Sequence, residues 1–418
     1  MSKKRVILAS ASPRRLHLLS PLNISLSVEP VDLDESPLPG ESPDVYAERL
    51  AKEKAMAAAV HSPGVPVVGG DTVVTLDGHL LGKPVDTAHA KHMLRLLSGR
   101  EHVVVSGWAV VDPDGGVHSG TASAHVLFET LSETQIAEYV QTGEPMDKAG
   151  SYGIQGQGGQ LVQGYRGDFA TIVGLPLDPV LRCLGRLNYV PDTDLFRRYM
   201  NILGRVAVAA SESGRTAEDI RVIAASKAQL PEHVSALYAY GHRDFGESYV
   251  QELRAKTHTV PSDVRWSFIG HLQTNKVRHV LPHVDTIQTV SSLKLARALS
   301  SKAAGMNQSV RCLIQVNLAM EDTKSGVSPE GLSDLLRDIR ELDNVEVIGL
   351  MCLPPRSGLA QARRWFRLLR ELRDTVRRDS SDLPELSMGM SGDFDGAIME
   401  GATMVRIGTA LFGPRPSR

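Results

Sequence analysis

Arg221-Val222-Ile223-Ala224-Ala225-Ser226-Lys227 is a short apolar run that ends in a serine and a lysine. Read as a strand (221–226), it is the first of eight such runs, followed by 243–246, 266–270, 286–290, 310–318, 345–351, 385–390 and 404–412. Helix-period segments separate most of them, at 232–240, 292–304, 329–342 and 361–378. Strands alternating with helices through eight units predict a (β/α)8 barrel rather than an open sheet. A helical pattern at 195–211 precedes the first strand and is placed to stand in for the helix missing after the last.

Lys227 directly follows that first strand. In such a barrel the carboxyl ends of the strands form the catalytic mouth, where burial lowers a lysine's pKa and favours bonding to an aldehyde. A strand-end lysine whose charge simply reaches water is the plainer alternative. Ser391-Gly392 follow the seventh run, and Gly408-Thr409 lie within the eighth, just after Arg406. Loops after strands seven and eight commonly hold phosphate. A lysine and a phosphate cradle at one mouth suggest pyridoxal phosphate (PLP).

The pieces Ala225-Ser226-Lys227, Gly241-His242-Arg243-Asp244-Phe245-Gly246-Glu247, Phe268-Ile269-Gly270-His271-Leu272-Gln273-Thr274-Asn275-Lys276 and Gln315-Val316-Asn317 come in this order. Lys324-Ser325-Gly326, Gly349-Leu350-Met351, Leu386-Ser387-Met388-Gly389-Met390-Ser391 and Met404-Val405-Arg406-Ile407-Gly408-Thr409 continue the series. Together they resemble the PLP homeostasis protein family (YggS type) over about residues 195–414. The resemblance implies a TIM-type barrel of the alanine racemase N-terminal kind. It makes Lys227 the lysine that takes the cofactor's aldehyde, puts Ser391, Gly408 and Thr409 on its phosphate, and Arg406 near its pyridine nitrogen. PLP-dependent client enzymes become candidate partners. Two departures are Ser248, where relatives usually have Asn, and Ala228, where Thr is common. The rival is a PLP-dependent amino-acid racemase. Such enzymes use a second acid/base from an additional β domain, for which no segment is expected after the eighth strand. An arginine at the pyridine nitrogen also weakens the electron sink, so a non-catalytic carrier is favoured.

Upstream, Arg186-Leu187-Asn188-Tyr189-Val190-Pro191-Asp192-Thr193-Asp194 reads as a linker after the Gly/Pro-rich Val173-Gly174-Leu175-Pro176. It divides the chain into domains at 1–187 and 195–418. The first half predicts an α/β fold with a partly antiparallel sheet. Strands are expected at 5–9, 65–70, 73–76, 101–111 and 118–128, with helices at 13–20 and 43–60.

Ser10-Ala11-Ser12-Pro13-Arg14-Arg15 follows the first strand and opens a helix. Hydroxyls, helix amides and guanidiniums make a polyphosphate cradle, although a Ser-Pro helix start is often only a cap. Asp71-Thr72 follows an apolar strand, so its carboxylate projects from a strand end, to hold a divalent cation, to take a proton from water, or merely to form a turn. Gly82-Lys83-Pro84 adds a loop lysine, and Gly150-Ser151-Tyr152-Gly153-Ile154-Gln155-Gly156 is a turn-prone loop in which backbone can approach a ligand.

These segments join Arg49-Leu50-Ala51-Lys52-Glu53-Lys54-Ala55, Leu97-Ser98-Gly99-Arg100-Glu101-His102 and Gly143-Glu144-Pro145-Met146-Asp147-Lys148-Ala149-Gly150 in one order. The whole closely resembles the Maf family of nucleoside triphosphate pyrophosphatases, with a Maf/ITPase-like mixed sheet. That resemblance implies cleavage between the α and β phosphorus atoms. It makes Asp71 the general base, Glu35 its partner at a divalent cation (Mg or Mn), and Arg14, Lys54 and Lys83 the residues that neutralise phosphate. The set Arg14, Thr72 and Gln155 resembles the branch that prefers dTTP and UTP over methylated guanine nucleotides. Thr171 departs from the Asn of many relatives. The rival for this half is a nucleotide-binding regulator of cell division without turnover, which the full set of charged residues disfavours.

Composition sets the outer bounds. A formal charge of -2 over 418 residues argues against binding a nucleic acid polymer. Cys183, Cys312 and Cys352 are too few for a disulfide framework or a structural zinc site and read as buried thiols. The basic start Met1-Ser2-Lys3-Lys4-Arg5 is followed by too short an apolar run for a secretion signal, and no stretch nears the ~20 apolar residues of a membrane helix. A cytoplasmic protein without membrane attachment is expected.

Overall fold

The computed structural model describes residues 3–321, 325–355, 357–378 and 382–414. Lys324, quoted above in a signature piece, lies outside the described residues, as do the first two and the last four. By contacts the chain forms two compact units, residues 1–217 with 358–360, and 218–357 with 361–418.

The first unit is built on a seven-stranded mixed sheet. Its strands are β1 (Arg5–Leu8), β2 (Ser25–Val28), β3 (Val67–Leu76), β4 (His79–Leu81), β5 (Glu101–Val111), β6 (Val117–Phe128) and β7 (Val162–Arg166). The order is β2-β1-β3-β5-β6-β7, with β4 hairpinned onto β3. β1 is parallel to β2 and β3, and the remaining pairs are antiparallel.

One expectation fails here in an instructive way. The runs 65–70 and 73–76 are not two strands flanking Asp71-Thr72; β3 is continuous from Val67 to Leu76. Its ladder with β5 runs unbroken from Val67↔Val111 to Thr75↔Val103, whereas β1 covers only Val67 and Val68. Asp71 therefore sits inside a strand, just past the end of its parallel neighbour. Gly69-Gly70, which resemble a strand terminus in sequence, are there for close approach. A Cβ on Gly69 would stand 2.2 Å from the Ala51 carbonyl oxygen, and one on Gly107 2.0 Å from that of Ala47.

The matching surface is the alanine stripe Ala47, Ala51, Ala55 and Ala58 of the helix Pro43–His61, all essentially buried. Spacings of three and four place these residues on one face. Ser42 caps the helix through Val45 N, and Pro43 occupies the first turn, where its missing N–H costs nothing.

The second unit is a closed barrel of eight parallel strands in the order β10-β11-β12-β13-β14-β15-β8-β9. They are β8 (Arg221–Ala225), β9 (Asp244–Glu247), β10 (Arg265–Phe268), β11 (Thr286–Val290), β12 (Val310–Val316), β13 (Val345–Cys352), β14 (Glu385–Ser387) and β15 (Met404–Ile407). Ile223, Leu313, Ile348, Met351 and Met404 form a buried cluster. Two details differ from expectation. Gly408-Thr409 do not continue the last strand, because β15 stops at Ile407 and Gly408 precedes the short helix Thr409–Phe412. The helix Asp194–Glu212, read as the barrel's substitute helix, belongs by contacts to the first unit. Its Gly204 lets it close on the helix Pro13–Leu19: a Cβ there would be 2.6 Å from the Leu18 carbonyl oxygen. Asn201 donates to the Asp168 carboxylate (3.2 Å), and the Arg205 guanidinium lies 4.5 Å from the centre of the Phe169 ring.

Candidate active site and cofactor site

A cleft of about 560 Å³ in the first unit gathers all the residues to which the sequence assigned a role in nucleotide binding or cleavage. Arg14, Glu35 and Lys54 line it together with Asp71 and Thr72 of β3, Lys83 and Gln155. The alanine stripe brings the helix Pro43–His61 so close to β3 that Lys54 Nζ reaches Asp71 Oδ1 at 2.8 Å and Glu35 Oε1 at 2.6 Å. Burial works to raise the Glu35 carboxyl, but hydrogen bonding and charge from Lys54, then Lys83 and Arg15, outweigh it and hold the pKa below the ordinary value. Tyr46 donates to the Glu35 carbonyl oxygen at 2.7 Å, and burial, then Asp71 and Glu35, push its hydroxyl up to about 12.

Arg15, the second guanidinium of the expected phosphate cradle, instead organises one wall. Its guanidinium donates to Gly174 O (2.8 Å), Ser10 Oγ (2.9 Å) and Thr72 Oγ1 (3.2 Å). Burial lowers its pKa, opposed by Asp71. Thr72 Oγ1 lies 2.7 Å from Ser106 Oγ, which donates to Thr171 O at 2.7 Å. Position 171 thus serves this chain through its main-chain carbonyl, which an Asn-to-Thr change leaves in place. The Arg14-Arg15 pair showed that guanidiniums were present, but not that Arg15 is held by three acceptors while the Arg14 side chain makes no hydrogen bond to a described residue.

The glycine-rich loop has a hidden anchor, Glu144. Its carboxylate accepts from Gln157 N (2.8 Å), Gly158 N (3.1 Å) and Tyr139 Oη (2.8 Å). A Cβ on Gly156 would be 2.5 Å from that carboxylate, so glycine is needed for the wrap. The wrap presents Gln155, which is 3% exposed and whose amide Nε2 and Oε1 both lack a hydrogen-bond partner. A buried, unpaired amide costs about 1–3 kcal/mol unless a ligand satisfies it.

Among the described residues no group of three or more His, Cys, Asp or Glu side chains is placed to hold a metal. Glu35 and Asp71 nonetheless fit a magnesium-like ion, which usually binds one or two carboxylates and takes its remaining oxygens from water and substrate phosphate.

In the barrel, Lys227 stands at the end of β8, whose neighbour is β15 through Ile407↔Ala224. Gly408 is consequently beside it: a Cβ there would meet only Ala225, at 3.6 Å or beyond. Ser391 Oγ accepts from Ala410 N at 3.1 Å, so Ser391, Gly408 and Thr409 come together at the start of the short helix. Arg406 is buried, hydrogen-bonds Ser387 Oγ (2.5 Å) and Cys352 O (2.8 Å), and has its pKa lowered by burial, with Cys352 and Asp393 opposing. An amine, a hydroxyl with bare backbone amides, and a guanidinium at adjacent strand ends are the donor set that an aldehyde-bearing pyridine phosphate requires.

The backbone on both sides of Lys227 is fixed by residues the sequence reading did not single out. Lys256 Nζ donates to Ser226 O (2.7 Å), Glu247 Oε2 (2.7 Å) and Glu252 Oε2 (2.8 Å). Ala228 N donates to Glu252 at 2.8 Å, and Ser226 Oγ to Glu247 at 3.0 Å. The turn puts Ala228 at φ 60°, a left-handed conformation that disfavours β-branched side chains, which gives the Ala at this position a physical sense. Ser248 leaves its buried hydroxyl without a partner. The three cysteines are buried and form no disulfide with one another, and no described helix is long and apolar enough to cross a membrane.

A profile of Maf-like proteins matches residues 5–187, and one of the alanine racemase N-terminal domain matches 210–416. A dTTP/UTP pyrophosphatase of Geobacter sulfurreducens is 45% identical over 189 residues, covering 45% of this chain and 99% of the relative. A pyridoxal phosphate homeostasis protein of Aquifex aeolicus is 42% identical over 221 residues, covering 52% of this chain and 97% of the relative. Among solved structures, PipY of Synechococcus elongatus with PLP bound is 34% identical over 51% of this chain and 100% of its own, with a TM-score of 0.45. The chain is therefore a fusion that belongs to two families, the Maf family through its first half and the pyridoxal phosphate homeostasis protein family through its second.

Proposed function

We propose that the first unit hydrolyses dTTP and UTP to the monophosphate and pyrophosphate. The observation that carries this reading is the unpartnered Gln155 amide in the same cleft as the Glu35–Lys54–Asp71 cluster. One donor and one acceptor, side by side and buried, complement the carbonyl and N–H of a pyrimidine-dione. With Asp71 Oδ1 bound to Lys54, Oδ2 is left to take a proton from water. The water oxygen bonds to the α phosphorus as the bond to the αβ bridging oxygen breaks, and pyrophosphate leaves. Arg14 and Lys83 neutralise the phosphate chain, while Lys54 orients Asp71 and adds positive charge where negative charge grows. A divalent ion held by Glu35 and Asp71 would supply further charge neutralisation.

The second unit, on this reading, binds PLP without turnover and buffers its supply to client PLP enzymes in the cytoplasm. Lys227 supplies the amine for covalent attachment. Ser391, Gly408 and Thr409 orient the phosphate, and Arg406 donates to the ring nitrogen, keeping a proton off it.

A pyrophosphate-release screen over nucleotides tests the first reading. dTTP and UTP should give the highest kcat/KM. A higher value for a methylated GTP would reverse the base assignment, and orthophosphate as product would overturn the reaction class.

A further inference from the structure

The helix Asp194–Glu212 ends in an acid, which opposes the helix dipole and gains nothing locally. Glu212 makes no hydrogen bond to a described residue, and its side chain lines the pyrophosphatase cleft. Burial raises its pKa, while Lys148 and Arg14 act electrostatically to lower it and Glu144 and Asp147 to raise it again. Its placement is fixed. Gly204 allows the close approach to Leu18 on the helix that carries Arg14, and Arg197 is ion-paired to Asp178, Asp192 and Asp194. Glu212 also lies beyond the residues 5–187 matched by the Maf profile, and inside the 210–416 matched by the second. The Geobacter relative, 99% covered by an alignment of 189 residues, has no room for an equivalent helix after its matched part.

We propose that Glu212 is a substrate-tuning residue that the fusion adds to the nucleotide cleft, an anion that competes with the nucleotide's phosphates for Arg14 and Lys148. This rests on the pyrophosphatase reading above. The Arg14 side chain makes no hydrogen bond to a described residue, so the carboxylates that share its cleft, Glu212 and Asp147, are its counter-charges until substrate arrives. Like charges at a shared cation repel, so Glu212 weakens triphosphate binding and speeds release of the anionic products without touching the reacting atoms.

The test is steady-state pyrophosphate release from dTTP by the full chain, comparing wild type, Glu212→Gln and Glu212→Lys. KM should fall roughly three- to fivefold in the Gln variant, the size expected of one partly screened charge pair, and further in the Lys variant, with kcat within about twofold of wild type. The difference should shrink as salt is raised. A helix merely loosened by substitution would not order KM by charge. Equal KM in all three proteins, or a KM raised by either substitution, overturns the proposal. Absence of pyrophosphate release by wild type would instead sink the underlying pyrophosphatase reading.

Discussion

Each unit contains a lysine held between two carboxylates, and the two arrangements serve different ends. Lys54 lies between Glu35 and Asp71, with side-chain exposures of 10%, 51% and 12%. Lys256 lies between Glu247 and Glu252, with 3%, 0% and 29%. The first cluster opens into a cleft, so its charges are accessible to a ligand. The second is closed, and its bonds go to the main chain on either side of Lys227. Both trios are one lysine with two carboxylates, and exposure decides whether such a trio can meet a ligand or is confined to bracing its surroundings.

That contrast can be broken most forcefully at Lys256. Lys256→Met strands the Glu247 carboxylate, which is 0% exposed in the barrel wall, and should destabilise the protein by about 3–5 kcal/mol in chemical denaturation. Lys54→Met should cost clearly less, because water reaches Glu35. Equal losses would mean that the exposure difference does not govern the two trios.

Asp71→Asn should lower kcat for pyrophosphate release at least about 10²-fold, the smaller end of what a positioned general base contributes. Undiminished turnover would remove Asp71 from that role.

Acid should act on both units alike. His102 in β5 and His242 just before β9 are buried, and burial depresses each from 6.5 to about 4. The unfolded chain therefore takes up these protons first. Their contribution is intact above about pH 6.5 and lost as pH falls towards 4, by about 3 kcal/mol for each histidine at most. Denaturation across this window should lose much of its slope in His102→Gln for the first unit and in His242→Gln for the second. A slope unchanged in both variants would mean other groups dominate.

The smallest expected effect is at Ser391. Ser391→Ala should weaken PLP retention by about 1–3 kcal/mol while the covalent link to Lys227 persists, because phosphate anchor and amine are separate groups. Loss of the covalent link in this variant would show that the two act as one.

The barrel was readable because its signal is repetition. The barrel strand Thr286–Val290 falls where its apolar run places it, as does Glu101–Val111 in the first unit, and Gly408 comes beside Ala225, two residues before Lys227, because first and last strands must close. Local composition misled where tertiary contact reassigns a residue. Gly69-Gly70 resembles a strand end but is a seat for a helix, which moves Asp71 into mid-strand. Residues 194–212 carry an amphipathic pattern that names no partner, and they pack on the first unit. Glu144, Arg15 and Lys256 act through main-chain and buried partners distant in sequence, so no spacing could reveal them.

The central claim is that one chain carries two separate chemistries, and two variants of the full-length protein test it together. Pyrophosphate release from dTTP would be measured beside visible absorbance and mapping of the borohydride-fixed PLP adduct. Asp71→Asn should lose turnover and keep the adduct on Lys227, and Lys227→Ala should lose the adduct and keep turnover. Loss of both properties in either folded variant, or an adduct mapped to another lysine such as Lys276 or Lys324, would contradict the account.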